Sequence, residues 1–186
     1  MKPKETTLHY VLRLALTLLA ITGTMAIVLA AVNQMTAPRI EAARAAKTVA
    51  ALSAVLPDAD TARPVSDYPD ETGLVTEVYE SDSGYALKVT PSGFDNTITM
   101  MVGVDRSGSV LGISVISHTE TPGLGAMAAD KGPRGEAFRG QFAGMTGELA
   151  VTKDGGTVDA LTGATITSRA VTSGVNAALA CVAGME

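Results

Sequence analysis

The chain has 186 residues, a net charge of −5, no Trp and a single cysteine, Cys181. The acidic balance, with no basic stripe interleaved with aromatics, excludes binding to nucleic-acid phosphates, and the lone cysteine excludes an intrachain disulfide and a CxxC metal or redox pair. An N-terminal stretch of about 50 residues is unlike the rest and leaves roughly 135, enough for one domain with a core of its own.

Residues 10–32 are almost continuously apolar, with Arg13 near one end as their only charge. At ~1.5 Å per residue a helix over this stretch reaches roughly 34 Å, against a bilayer core of ~30 Å. Residues 1–9 therefore read as a tail and residues 10–32 as a transmembrane helix. A cleaved signal peptide is the alternative, but its apolar region is usually only ~7–15 residues long. Lys2, Lys4 and Arg13 nearly balance Arg39, Arg44 and Lys47 across the span, so charge decides little about orientation. The lack of a domain before the span favours an N-terminus inside and a domain outside.

Residues 33–72 read as a helical stalk and linker. Ile40, Ala43, Val49, Leu52 and Leu56 fit helical spacing, and Pro57 followed by Asp58 ends the pattern. Pro38 is expected to kink or interrupt the path. Residues 58–72, rich in Asp, Pro, Ser and Thr, are expected to be a loop.

From Gly73 the apolar period changes to two. Tyr85, Leu87 and Val89 alternate with smaller or polar residues, as do Ile98, Met100, Val102 and Val104, then Leu111, Ile113 and Val115. These predict half-buried strands, separated by turns at Ser83-Gly84, Ser92-Gly93 and Ser107-Gly108. Short connections make neighbours antiparallel, so residues 74–117 should form a meander of about four strands. Ala137, Phe138 and Phe142 predict a short helix. Residues 148–153 predict another strand, and Val158 starts a last short one. After Ser168 a helix follows, with Val171, Val175, Ala178, Leu179 and Val182 as its apolar stripe and Cys181 in its core. Residues 73–186 thus form one domain, and the chain is α+β: a transmembrane helix, then an antiparallel sheet with flanking helices.

Few residues can carry catalysis. His9 and His118 are the only histidines, which is too few for a zinc site of ordinary composition. No G-x-S-x-G elbow, Walker A loop or calcium loop is present. Two stretches stand out. One is the loop Glu120-Thr121-Pro122-Gly123-Leu124-Gly125. The other is Asp159-Ala160-Leu161-Thr162-Gly163-Ala164-Thr165, followed by Ile166-Thr167-Ser168. The second crowds hydroxyls around small residues, just before a helix that starts near residues 166–168. Such a run is either a helix cap or a phosphate site, since free N–H groups and the positive end of the helix dipole point at it.

Taken together, and behind an apolar anchor, these stretches resemble the FMN-binding domain shared by the G subunits of Rnf-type electron-transport complexes and the C subunits of sodium-pumping NADH:quinone reductases. The resemblance implies an FMN held by a phosphoester on the side-chain oxygen of Thr165, installed from FAD by a separate flavin transferase with a divalent metal. Thr162, Gly163 and Ala164 complete the acceptor motif. Asp159 either orients the loop or helps activate the hydroxyl, and Thr167 and Ser168 either bond the phosphate or cap the helix. The other loop would lie on the isoalloxazine ring, with Leu124 on its face, Thr121 near a heteroatom, and Gly123 and Gly125 allowing the turn. Glu120 either tunes the flavin or braces the loop, and His118 is no better defined. No residue is expected to turn over a substrate.

The implied role is an electron relay within an ion-translocating ferredoxin:NAD oxidoreductase, a redox enzyme complex. Its partners would be membrane and iron–sulfur subunits, the flavin transferase and lipid. The implied location is the cytoplasmic (inner) membrane, single-pass, with the flavin domain on the extracytoplasmic side. Three alternatives stay open: the quinone-reductase subunit, for which the chain is short; a membrane-anchored FMN-binding sensor or assembly module; and a flavin-free interaction domain with Thr165 as a cap.

Overall fold

The computed structural model describes residues 7–185; the expected tail lies largely outside them. Helix α1 runs Thr7–Val55. Its N-terminal part is apolar all round, with Leu16, Leu18, Leu19, Ile21, Ile27 and Leu29 all exposed. Its threonine hydroxyls bond back within the helix: Thr22 donates to Leu18 O at 2.9 Å, Thr24 to Ala20 O at 2.7 Å and Thr36 to Val32 O at 2.9 Å. Among the described residues this is the one helix long and apolar enough to cross a membrane, with a mean hydropathy of 2.3 over its most apolar window. Pro38 lies inside it. The expected interruption does not occur; a proline removes one backbone donor, and the Ala-rich turns on either side sustain the helix.

The chain divides into two units between Ala46 and Lys47. The last turns of α1 belong to the second unit, where they are part of its core.

That unit is built on a five-stranded antiparallel meander in the order β1 to β5. The strands are β1 Arg63–Val65, β2 Val75–Glu80, β3 Gly84–Val89, β4 Thr99–Asp105 and β5 Val110–Ser117. The expected four strands are β2 to β5. The fifth, β1, falls in the segment expected to be a loop. It is short, sits at the sheet edge beside β2 and contains Pro64, which an edge strand tolerates because its missing N–H costs no ladder bond. Asp70 shapes the turn into β2 by accepting from the N–H groups of Thr72, Gly73 and Val75. Asp105 does the same between β4 and β5, accepting from Ser107 N at 2.8 Å and Ser109 N at 2.9 Å.

Both faces of the sheet are covered. Leu87, Val89, Met100, Val102 and Val104 pack with Val171, Val175, Ala178 and Val182 of helix α3, Thr165–Ala183. On the other face Ala86 and Met101 pack with Ala51, Leu52, Val55 and Leu56, at the end of α1. The central part of β4, from Met100 to Val104, is therefore buried throughout rather than half-buried. Gly103 explains how the helix comes so close: a Cβ there would lie 2.4 Å from Val55 O. Gly174 plays the same part on the front, where a Cβ would meet Met100 Cε at 2.6 Å.

The expected short helix is α2, Pro133–Gly140, with Phe142 just beyond it and edge-on to Phe138 at 5.7 Å between ring centres. The strands expected over residues 148–153 and from Val158 do not form. They make a single parallel bridge, Val151 to Val158. Side-chain amides replace the missing ladder. Asn176 bonds both N and O of Leu149, at 2.9 and 2.8 Å, and Gln141 bonds both N and O of Asp159, at 2.8 and 3.2 Å. Cys181 is buried in the core, which pushes its thiol up to about 11, with the Asp70 charge adding to the effect.

Asp58 joins the end of α1 to the β2–β3 turn, accepting from the Ser83 hydroxyl and from Ser83 N at 3.0 Å. The hydroxyl bond is the main reason that its carboxyl is lowered from 3.8 to about 2. The folded value lies below the unfolded one, so this contribution is present above pH 3.8 and is lost as pH falls through about 2. In thermal melts of the detergent-solubilised full chain, Asp58→Asn should lower the midpoint at neutral pH. The gap to wild type should close across that acidic window.

Candidate functional site

Three segments meet at the start of α3: residues 92–97 between β3 and β4, the loop after β5, and residues 159–164. The third reaches the helix through a tight turn in which Ala164 N donates to Leu161 O at 2.9 Å and Gly163 has φ of 77°. That backbone favours glycine, and a Cβ on Gly163 would also press Leu124 Cδ2 at 2.9 Å.

Helix α3 starts at Thr165, slightly earlier than its apolar pattern suggests. Its cap position is held by Ala164, with no side-chain cap bond. The N–H groups of the first turn are thus left without the side-chain acceptor that a Ser, Thr, Asn or Asp cap supplies. Thr165 is half-buried. Its Oγ1 accepts a bond from Lys153 Nζ at 2.9 Å.

The neighbouring hydroxyls are engaged internally. Ser168 is fully buried; its Oγ accepts from Leu161 N and donates to Ala164 O, both at 2.9 Å. It fastens the turn to the helix. Thr167 is also buried and donates to Glu120 Oε2 at 2.5 Å.

Glu120 is the centre of the arrangement. It is only 4% exposed. Its Oε1 accepts from Phe94 N at 2.8 Å and Asp95 N at 3.3 Å, while Oε2 takes the Thr167 hydroxyl. His118 Nδ1 accepts from Glu120 N at 3.2 Å. Two glycines make room for the carboxylate: a Cβ on Gly93 would lie 2.2 Å from Oε1, and one on Gly125 2.5 Å from Oε2. One acid therefore ties three segments together, with the bonds that burial of its polar atoms demands.

A cleft of about 280 Å³ opens beside it, lined by Phe94, Glu120, Thr121, Leu124, Gly125, Gly163, Ala164, Thr165, Ile166 and Thr167. A second, of about 710 Å³, lies across Leu124 and brings together Gly123, Asp159 and Thr162 with Arg134, Phe138 and Gln141. Of the residues singled out from sequence, the first cleft gathers Glu120, Thr121, Leu124, Gly163, Ala164 and Thr165. The second takes Gly123, Asp159 and Thr162, and Ser168 lines neither. No group of acids, histidines and cysteines among the described residues is arranged to hold a metal ion.

Two residues at the site, Phe94 and Lys153, carry no signal in the sequence. Phe94, at 65% exposed, and Ile166, at 49%, join Leu124, at 43%, as large apolar side chains around the cleft. Phe94 is separated from Glu120 by the whole β4–β5 hairpin. Lys153 reaches Thr165 from a 3₁₀ turn, Thr152–Asp154, in a segment read as a strand. Only the tertiary fold brings them near.

The cleft has the size and character of a small-molecule site: its volume, about 280 Å³, lies just under the usual ~300–1,000 Å³, and its rim is apolar. Beside it, a half-buried hydroxyl, an uncapped helix end and an ammonium suit a phosphate.

Comparison with known proteins agrees with this class. Residues 93–180 match the FMN-binding domain family. The chain is 36% identical over 189 aligned residues to the G subunit of the Na(+)-translocating ferredoxin:NAD(+) oxidoreductase complex of Acetobacterium woodii, covering 89% of this chain and 88% of the relative. It is 35% identical to the proton-translocating counterpart from Clostridium ljungdahlii, covering 82% and 81%. It is 30% identical to the G subunit of the ion-translocating oxidoreductase complex of Methanosarcina acetivorans, covering 94% and 95%. The chain belongs to the family of G subunits of ion-translocating oxidoreductase complexes.

Glu120→Ala should cost about 2–3 kcal/mol, because it strands the Phe94 and Asp95 N–H groups and the Thr167 hydroxyl. Glu120→Gln should cost less, since its carbonyl can face the two N–H groups while its NH₂ donates to Thr167. Thermal melts and hydrogen exchange at Phe94 and Asp95 in the solubilised full chain measure both effects.

Proposed function

We propose that the chain is the membrane-anchored flavoprotein subunit of an ion-translocating ferredoxin:NAD oxidoreductase complex, and that it relays electrons through an FMN joined to Thr165 by a phosphoester. Membership of the G-subunit family and the FMN-binding domain support the complex and the cofactor. The observation that carries the attachment point is the placing of Thr165: a half-buried hydroxyl at the first position of an uncapped helix, at the mouth of an apolar cleft.

Bound FMN supplies reversible electron transfer, and the protein supplies position and electrostatics. Thr165 provides the tether. The first-turn N–H groups of α3 face the phosphate position. Leu124, Phe94 and Ile166 offer apolar surface to the ring, and Thr121 a polar contact at its edge. Gly163 keeps the backbone low where the ribityl chain must pass Leu124. Asp159 lines the neighbouring cleft, with its backbone held by Gln141, which suits an orienting role for the acceptor loop.

Among the described residues Glu120 is the only titratable one lining the cleft, and both of its oxygens are engaged. Among those residues no free acid–base pair faces the cleft, which favours a relay over substrate turnover. The remaining partners are the other subunits of the complex, a flavin transferase that acts during maturation, and lipid around α1. The flavin domain is placed on the extracytoplasmic side of the cytoplasmic membrane.

Coexpression with a flavin transferase, followed by denaturation, intact mass and in-gel flavin fluorescence, tests the attachment. Wild type should gain the mass of one FMN less water, and Thr165→Val should gain none. An unmodified wild-type chain would sink the reading. For topology, a reporter fused after Glu186 should be active only outside the cytoplasm, and cytoplasmic activity would reverse the orientation.

A further inference from the structure

We propose that Lys153 is the charge partner of the Thr165 attachment point: its ammonium steadies the threonine oxygen while the phosphoester forms and then pairs with the phosphate. This inference rests on Thr165 being the flavin anchor.

The contact is direct. Lys153 Nζ lies 2.9 Å from Thr165 Oγ1, the atom that would bond to phosphorus. It is also built rather than incidental. Lys153 sits on the 3₁₀ turn Thr152–Asp154, whose other members anchor it. Val151, just before the turn, is bridged to Val158. Gly155 closes it with φ of 84°, and Gly156 lies so close to Ala150 that a Cβ would fall 2.0 Å from its carbonyl oxygen. Asp154 then grips Arg169 in a fork, Arg169 Nε to Oδ2 at 2.7 Å and Nη2 to Oδ1 at 2.6 Å. Arg169 is one helical turn beyond Thr165 on α3. Consecutive residues of the turn thus meet consecutive turns of the helix: Asp154 holds Arg169, and Lys153 is delivered to Thr165. The fork directs both Asp154 oxygens to Arg169, and the Lys153 ammonium donates to Thr165.

The chemistry follows from what an ammonium can do. It has three donors and no acceptor, so Lys153 cannot take the threonine proton. With FAD as donor, the pyrophosphate bond breaks, Thr165 Oγ1 bonds to the FMN phosphorus, AMP leaves and the hydroxyl proton passes to a base of the transferase. Lys153 stabilises the negative charge that develops on Oγ1 as that proton departs. Once the ester exists, the phosphodiester carries one negative charge beside the same ammonium, and a charge-assisted bond to a non-bridging oxygen replaces the bond to the hydroxyl.

The test uses the full chain in membranes with limiting flavin transferase and FAD, following mass gain over time. Lys153→Met and Lys153→Gln should be flavinylated about tenfold or more slowly, the scale of one charge-assisted hydrogen bond. Lys153→Arg should recover most of the rate. A second readout needs no variant: amine acylation of Lys153, read by peptide mass, should be several-fold slower in flavinylated than in unmodified wild type, with Lys131 as internal reference. Wild-type rates in the Met and Gln variants, or an arginine variant as slow as methionine, would overturn the inference. Equal acylation before and after flavinylation would also overturn it. If wild type itself takes up no FMN, the anchor reading fails and takes this inference with it.

Discussion

The site depends on one buried carboxylate. Glu120 cannot be buried without partners for both of its oxygens, and the donors available come from separate parts of the chain: the backbone at Phe94 and Asp95, and the hydroxyl of Thr167 on α3. Satisfying its oxygens therefore requires assembling the cleft. The glycines at 93 and 125 belong to the same requirement, because any side chain there would displace the carboxylate. Of the two roles open to Glu120 from sequence, the geometry gives direct support to bracing. Its position in the cleft wall keeps it near whatever the cleft holds.

The sheet provides the rigid floor. Helix packing on both faces leaves β4 with no solvent face, and Gly103 and Gly174 allow the backbones to approach closely on opposite sides. A helix that begins in an apolar N-terminal segment ends as a structural member of the domain core, through Ala51, Leu52 and Val55. The functional loops then rise from one end of a scaffold that has few small deformations available to it.

Much of this was legible in the sequence, for identifiable reasons. The meander was readable because its strands alternate and its turns carry Ser-Gly pairs. Helix α3 was readable from its stripe of Val171, Val175, Ala178 and Val182. What misled were places where side chains take over from backbone. Residues 148–153 look like a strand, but their partners are the amide of Asn176 and the lone bridge at Val151. β1 was hidden because an edge strand containing Pro64 has the composition of a loop. β4 was expected to have a wet face because periodicity cannot announce a second helix on the back of a sheet. The two motif loops were visible as glycine- and hydroxyl-rich runs, but Phe94 joins the cleft wall and Lys153 reaches Thr165 only through long-range contacts. By residue type alone the hydroxyls of the second motif are alike, and the family resemblance singles out Thr165. Their surroundings differ too: Thr167 and Ser168 are spent on the fold, Thr162 lines the second cleft, and Thr165 faces the first cleft and a lysine.

Ala164 at the head of α3 carries an evolutionary consequence. Alanine there forgoes roughly 1 kcal/mol that a serine or asparagine would contribute. Selection for stability alone would remove it by a single substitution. A self-capped helix, however, presents a satisfied end, and an incoming anion would have to displace the protein's own oxygen. The alanine thus marks a place where the domain remains less stable than its fold permits, and on the proposed reading a capping side chain there would compete with the flavin phosphate.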